Sequence, residues 1–234
     1  MFTRKTHSVT SNGNEDGFAM PNVHRRTFLK YAGMSAAILS AGSVLSSCSD
    51  DDTNDGTGVS LGSGDVAVLN YAFALEQLEA AFYTQVILTP YSGISDSEMT
   101  LLTDIRNHEI AHREFFRKAL STGAIQDLQV DFSTIDFTSR DKVLAAAQTF
   151  EDLGVAAYNG AGKYITTPAY LALAGKIVSV EARHAAYIRD LVSNGTFSSN
   201  ADSNGLDGAT TPTDVFAAAS VYIKTQINTN TLPK

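Results

Sequence analysis

The sequence has a single cysteine, no tryptophan and only five prolines among its 234 residues. One cysteine cannot form a disulfide framework or supply a cysteine-rich zinc or iron–sulfur site. No apolar run reaches the roughly 18 uninterrupted residues of a membrane-spanning helix. The net charge of −8 argues against binding to the phosphates of nucleic acids, so we expect no nucleic-acid partner. Hydrophobic residues still make up 44% of the chain, which is enough to bury a core.

The first 48 residues have the composition of an export signal. Basic residues come first, and a short stretch rich in Ala, Gly, Ser and Leu follows at residues 31–45. The segment RRTFLK at residues 25–30 resembles the twin-arginine export motif of bacteria, in which Arg25 and Arg26 are the arginine pair. This resemblance implies export of the folded protein. Met20 is a second candidate start, because translation from it gives a more typical signal.

A lipid attachment site is expected at the end of this signal. Residues 45–48 (LSSC) resemble a bacterial lipobox, whose cysteine is lipidated and becomes the first residue of the mature protein. The alternative is an unmodified cysteine within the signal. Residues 49–64 are rich in Gly, Ser and Asp, and we expect them to form a flexible acidic tether. We therefore predict an exported protein, lipid-anchored at the bacterial cell envelope (outer membrane, periplasm or surface) through Cys48 alone.

From Val66 onward, apolar residues recur with the period of a helix, near 3.6 residues. Ser95 and Glu98 are spaced as a helix-capping box, and Pro168 and Gly195 are placed to start and end a helix. Alternation of β-branched residues is nowhere sustained, so we expect no sheet. The predicted helices span about 65–89, 95–123, 139–165 and 168–194, and a short fifth helix spans about 212–227.

The links between these helices predict how the helices pack. The first and third links are short, whereas the second, at residues 123–138, is long enough to cross a bundle. This pattern is typical of an antiparallel four-helix bundle with one long crossover. The predicted fold is therefore all-α, with the bundle at residues 65–195 and a loop and short C-terminal helix at residues 196–234.

Each long helix carries a glutamate within its predicted apolar face. On the second and fourth helices a histidine follows three residues later, which places both side chains on one face. A buried carboxylate without a partner costs several kcal/mol or takes up a proton, and four of them would repel one another. Two divalent metal ions remove both problems, and this set of side chains matches that of dimetal bundles. The candidate metal ligands are Glu76, Glu109, His112, Glu151, Glu181 and His184.

An internal repeat supports this choice of glutamates. Tyr83 follows Glu76 by seven residues, and Tyr158 follows Glu151 by the same number. Each tyrosine lies on the same face as its glutamate, within reach of the carboxylate of a neighbouring ligand. We therefore consider Tyr83 and Tyr158 candidates for hydrogen bonds that hold the ligands in place.

The sequence leaves alternative roles open for two other residues near the predicted site. Glu79 competes with Glu76 for the inward position, although the repeat favours Glu76, because the counterpart of Glu79 on the third helix is Gly154. Glu79 stays a candidate for supporting the ligands or replacing one. His108 points about 100° away from Glu109 on a helix, so we expect it at the surface or at an interface. In a competing hypothesis the glutamates extend their carboxylates to solvent or pair with arginines, namely Arg106, Arg113 and Arg183.

The chain resembles the ferritin-like superfamily over about residues 65–227. Residues 70–83 (NYAFALEQLEAAFY) are similar to the first helix of a subgroup that includes plant desiccation-related proteins, and residues 211–218 (TPTDVFAA) are similar to its tail. The six candidate ligands match the ligand positions of rubrerythrin, ferritin and manganese catalase. The resemblance implies a carboxylate-bridged site for two divalent ions, with iron favoured and manganese as the alternative.

Two functions of different classes are consistent with these expectations. The first is a redox protein that oxidises ferrous iron with O2, or removes H2O2, in stress protection at the cell envelope. The second is a non-enzymatic stress or desiccation protein, or a partner-binding bundle, whose metal site is structural or vestigial. A homo-oligomer is compatible with both.

Overall fold

The computed structural model describes residues 58–233 of the chain. The predicted export signal with Arg25 and Arg26, the lipidation site Cys48 and most of the predicted tether lie outside the described residues. Their roles therefore stay predictions. Within the described part, no helix combines the length and apolarity needed to cross a bilayer.

Four long helices and one short helix make up most of the described chain, which confirms the predicted all-α bundle. Short 3-10 turns at Ser121–Gly123, Gly162–Tyr164 and Ser220–Tyr222 follow three of them. The long helices begin and end within a few residues of their predicted limits. The helices are α1 Gly64–Leu88, α2 Asp96–Leu120, α3 Arg140–Ala161, α4 Pro168–Val192 and α5 Pro212–Ala219.

Local signals explain where the helices start. The hydroxyl of Ser95 accepts a hydrogen bond of 3.2 Å from the backbone N–H of Glu98, as the capping-box spacing predicts. Thr211 caps α5 in the same way through the N–H of Asp214, at 3.3 Å. Pro168 occupies the first turn of α4, where its missing N–H costs no hydrogen bond. These helix starts depend on residues that are neighbours in sequence, so the sequence alone can predict them.

The bundle consists of two helical hairpins. α1 packs along α2, α3 packs along α4, and α1 also contacts α3 across the bundle. α1 is buried on almost every side, with 17 of its 25 residues in the interior, rather than along one apolar stripe. The crossover between α2 and α3 explains this burial, because Asn70 and Gln77 of α1 bind its backbone. Asn70 Nδ2 donates to Gly123 O at 2.8 Å, and Gln77 Oε1 accepts from the N–H of Leu128 at 2.8 Å.

Two predictions at the edges of the domain were wrong. A two-residue strand β1, Val59–Ser60, pairs in parallel with β2, Ile227–Asn228, where we expected no sheet and a fifth helix that continues to 227. The last part of the predicted tether is therefore ordered against the domain. Leu61 explains why, because its side chain is fully buried and anchors the segment between β1 and α1.

Candidate metal centre

The bundle brings all six predicted ligands to one place in its interior. α1 contributes Glu76, α3 contributes Glu151, and α2 and α4 each contribute a glutamate with a histidine three residues later. The four glutamates are fully buried, and the side chain of His184 is 5% exposed. His112 is the most accessible member of the cluster, with 14% of its side chain exposed.

The ligand atoms form two overlapping groups, each with all its atoms within 4.8 Å of one another. Each group has the geometry to hold a metal ion. Glu109 and Glu181 belong to both groups. One group is completed by Glu76 and His112, and the other by Glu151 and His184. The arrangement has the approximate two-fold symmetry that the internal repeat predicts.

Each histidine makes its shortest contact with a glutamate of the other hairpin. Nδ1 of His112 lies 2.9 Å from Glu181 Oε1, and Nδ1 of His184 lies 2.8 Å from Glu109 Oε1. Two further carboxylates approach each Nδ1 at 3.3 to 3.6 Å. Both rings therefore turn Nδ1, rather than Nε2, towards the carboxylates.

These contacts are short, but they are not aligned as hydrogen bonds. Among the described residues, nine buried side-chain nitrogen and oxygen atoms have no hydrogen-bond partner, and eight of them belong to this cluster. The ninth is the hydroxyl of Tyr71. Buried polar atoms are normally satisfied, so eight orphaned atoms at one point indicate a missing partner. Carboxylate and imidazole groups are the ligands that iron and manganese accept, so the residues present fit such ions.

Two tyrosines hold the carboxylates of α1 and α3. The hydroxyl of Tyr83 on α1 donates to Glu151 Oε1 on α3 at 2.5 Å. Reciprocally, the hydroxyl of Tyr158 on α3 donates to Glu76 Oε1 on α1. All four side chains are buried. Each of these two glutamates thus has one oxygen fixed by a tyrosine and the other, Oε2, left for the cluster.

The charges in the metal-free cluster compensate one another in part. Burial raises the pKa of Glu76 well above its usual value and that of Glu151 to about 8. Burial acts in the same direction on Glu109, but the nearby histidines outweigh it and lower the pKa to about 2. Burial tends to lower the pKa values of His112 and His184, but the surrounding glutamates outweigh it and raise both to about 12. The interior therefore favours positive charge at the point where the six side chains meet.

Glu79 is buried, at 4% exposure, but it belongs to neither group of candidate ligands. Its Oε1 lies 2.9 Å from the position that a Cβ on Gly154 would occupy, so the missing side chain on α3 leaves room for this carboxylate. Burial and the nearby glutamates raise the pKa of Glu79 well above its usual value. Glu76, rather than Glu79, faces the other ligands, as the repeat favours.

His108 has a contact that the sequence did not suggest. His108 is exposed, as expected, but its Nδ1 also lies 2.9 Å from Nε2 of His184. The two residues are 76 positions apart, and His108 lies off the face that carries Glu109. Spacing along one helix therefore carries no signal for this pair.

The three arginines considered as partners, Arg106, Arg113 and Arg183, do not pair with the interior glutamates. Each of the three candidates instead bonds to a residue within four positions on its own helix. Arg106 bonds to Asn107, Arg113 to Glu114 and Arg183 to Ser179. The competing hypothesis of buried glutamate–arginine pairs is therefore wrong for these three arginines.

A helical bundle with a buried cluster of glutamates and histidines on four helices defines a class of ferritin-like proteins. Comparison with known families agrees, because the model of a family described as a ferritin-like domain matches residues 64–194. That match covers more than half of the chain, and the chain belongs to this family. Comparison with curated proteins gives no match.

Proposed function

We propose that the cluster binds two divalent metal ions and that the protein is a dimetal redox protein of the bacterial cell envelope. The observation that carries the proposal is the set of eight buried, unpartnered nitrogen and oxygen atoms that face one another from four helices. Iron is the first candidate on the resemblance of the ligand set, and manganese is the alternative because the same ligands suit it.

The two groups suggest how the ligands are shared. Glu109 and Glu181 occur in both, so we propose that these two residues would help to hold both ions. Glu76 and His112 complete one metal position, which we call the His112 position. Glu151 and His184 complete the other, the His184 position. Four carboxylates and two divalent ions balance in charge, which makes the buried site neutral.

Bound iron or manganese would supply the redox chemistry for reaction with O2 or H2O2. The chain holds the ligands in place, since Tyr83 and Tyr158 fix one oxygen each of Glu151 and Glu76. Complete burial of the glutamates keeps bulk water out of the cluster. His112, as the most exposed member, marks the side on which a small reactant would reach it.

The proposed location depends on the N-terminal segment. If Arg25 and Arg26 belong to a twin-arginine signal, changing both to lysine blocks export and leaves the protein in the cytoplasm. If Cys48 carries the lipid, Cys48→Ala releases the exported protein from the membrane fraction. Membrane attachment that persists in the Cys48→Ala variant would show that the lipobox prediction is wrong.

A structural metal site is the second candidate, and the complete burial of the four glutamates favours it. Closed sites with every position filled by protein ligands are typical of structural metals. The protein would then act as a non-enzymatic stress or desiccation module, or bind a partner, at the envelope. Metal would stabilise the bundle without reacting.

Reaction of the loaded protein with oxidants separates these two candidates. Protein loaded anaerobically with Fe2+ is mixed with O2 or H2O2, and iron oxidation is followed by absorbance. The redox proposal predicts fast oxidation that is lost in the Glu109→Gln, Glu181→Gln double variant. Glu114→Gln, at a half-exposed position of α2, is the matched control and should react like the wild type. Full metal content without reaction would favour the structural candidate.

A further inference from the structure

We infer that His108 makes the two metal positions of the proposed centre unequal, because it positions His184, whereas the repeat places Val180 at the equivalent position for His112. The inference rests on the proposed dimetal centre and adds a residue outside its six ligands. His108 thus acts as a positioning residue for one of the two ions.

The contact between the two histidines fixes their roles. His184 directs Nδ1 at Glu109, Glu151 and Glu181, so Nδ1 is the nitrogen available to a metal ion. A neutral imidazole that offers Nδ1 to a metal carries its proton on Nε2. Nε2–H of His184 therefore donates to Nδ1 of His108, at 2.9 Å. The ring planes are inclined by only 9° and the ring centroids lie 5.2 Å apart, so the rings meet edge to edge and the donor lies close to the plane of the accepting ring.

The internal repeat shows that this contact exists on one side only. His108 precedes Glu109 on α2, and the corresponding residue before Glu181 on α4 is Val180. Valine has no side-chain acceptor for a hydrogen bond from a histidine. Within the described chain, the ion-pair contacts of His112 all run from Nδ1 to glutamates. The approximate two-fold symmetry of the cluster is thus broken outside the ligands.

An outer hydrogen bond changes how well a histidine binds metal. It holds the ring in the binding orientation and makes the ligating nitrogen more basic, and its loss typically lowers metal affinity by about 10–100-fold. The His184 position should therefore fill first and hold its ion more tightly. The His112 position should fill second and exchange its ion more readily. Two ions in a nearly symmetric ligand set then become distinguishable.

In the test, chelator-treated protein is titrated with Mn2+, and a calorimeter measures the heat of binding. The wild type should bind about two ions in two separate steps. His108→Val copies the residue that the repeat places opposite, and should weaken the tighter step by about 10–100-fold so that the steps merge. His108→Asn offers an oxygen near the place of Nδ1 and should restore the separation. Val180→His should instead strengthen the weaker step.

A spectroscopic measurement separates positioning from a merely structural effect. The first equivalent of Co2+ should give a different visible spectrum in the wild type and in the His108→Val protein, whereas Val180→Ala should leave that spectrum unchanged. Circular dichroism of the metal-free proteins checks folding, and His108 is exposed, so folding should be unaffected.

The outcomes distinguish this inference from the proposed function. A wild-type protein that binds no metal overturns the dimetal centre itself. A wild type that binds two ions with one common affinity overturns the role of His108 and leaves the centre intact. The same holds if His108→Val retains both steps and the wild-type Co2+ spectrum. If His108→Val fails to fold, the Val180→His protein still decides, since an unchanged weaker step contradicts the inference.

Discussion

Tyr83 of α1 donates a hydrogen bond of 2.5 Å to Glu151 of α3, across the boundary between the two helical hairpins. Tyr158, the counterpart of Tyr83 in the repeat, lies on α3 and donates to Glu76 of α1. The two hairpins are therefore joined at the candidate metal centre by a reciprocal pair of buried bonds. The same bonds decide which oxygen of each carboxylate is free to bind metal.

Tyr83→Phe should weaken both the fold and the metal site. The change keeps the ring but leaves Glu151 Oε1 buried without its donor, so the metal-free protein should lose about 1–3 kcal/mol of unfolding free energy. Metal affinity should fall as well, because one ligand is no longer oriented. Denaturant unfolding and metal titration measure the two effects.

Tyr91→Phe is the matched control for that variant. Tyr91 donates to Glu98 at 3.0 Å, and neither residue belongs to the cluster. Its loss should lower stability without changing metal affinity. Equal metal affinity in the Tyr83→Phe and wild-type proteins would contradict the role given to the tyrosine.

Gly154→Ala should destabilise the bundle because of Glu79. The new Cβ would lie 2.9 Å from Glu79 Oε1, so this buried carboxylate would have to shift. We expect a loss of about 1–3 kcal/mol, as for other overpacked cores. In a Glu79→Ala background the same change should cost nothing, which a double-mutant cycle measures.

Gly175→Ala provides the control for backbone effects. Gly175 also lies within a long helix, α4, but a Cβ there would meet no atom of residues 58–233 within 4 Å. The substitution should therefore stabilise the protein by up to about 1 kcal/mol through helix propensity. If Gly154→Ala stabilises the wild type to the same degree, Glu79 does not occupy the space assigned to it.

The metal-free protein should become less stable as the pH rises from about 5 to about 9. Glu151 has a folded pKa of about 8 against an ordinary value of 4.5, so its contribution to stability is complete below 4.5 and is lost as the pH rises through 8. His184 has a folded pKa of about 12 against 6.5, so its contribution is complete below 6.5 and is lost towards 12. Both act in the same direction. Thermal melts in chelator at several pH values test this.

Bound metal should counteract this loss of stability at higher pH. Carboxylates and imidazoles must lose their protons to bind an ion, so stabilisation by metal grows as the pH rises. The gap between the melting temperatures of loaded and metal-free protein should therefore widen from about pH 5 to about pH 9. Glu151→Gln should flatten the slope of the metal-free protein. A metal-free protein that melts at higher temperature as the pH rises would contradict the charges assigned to the cluster.

The sequence was sufficient for those features that depend on local patterns. Ser95 and Pro168 mark helix starts by themselves. The three-residue spacing of Glu109 and His112 places both side chains on one face of a helix. The arrangement of four helices around inward glutamates follows from the same periodicity. The convergence of the six side chains needed no contact information beyond the helices and the length of their links.

Other features depend on contacts between distant parts of the chain. The pairing of β1 with β2 joins two-residue segments near opposite ends of the described chain, and segments so short have no detectable alternation. The burial of α1 on most sides comes from a crossover bound by Asn70 and Gln77, so it exceeds what one apolar stripe predicts. His108 meets His184 across two helices, which spacing along either helix cannot show.

Anomalous X-ray diffraction from crystals of the metal-loaded protein tests the dimetal centre most directly. Data at the iron and manganese absorption edges should show two peaks inside the bundle, about 3.5–4 Å apart as in other two-metal sites. Both peaks should contact Glu109 and Glu181, with His112 at one and His184 at the other. A single peak, peaks outside the six-residue cluster, or none in fully loaded crystals would contradict the dimetal centre.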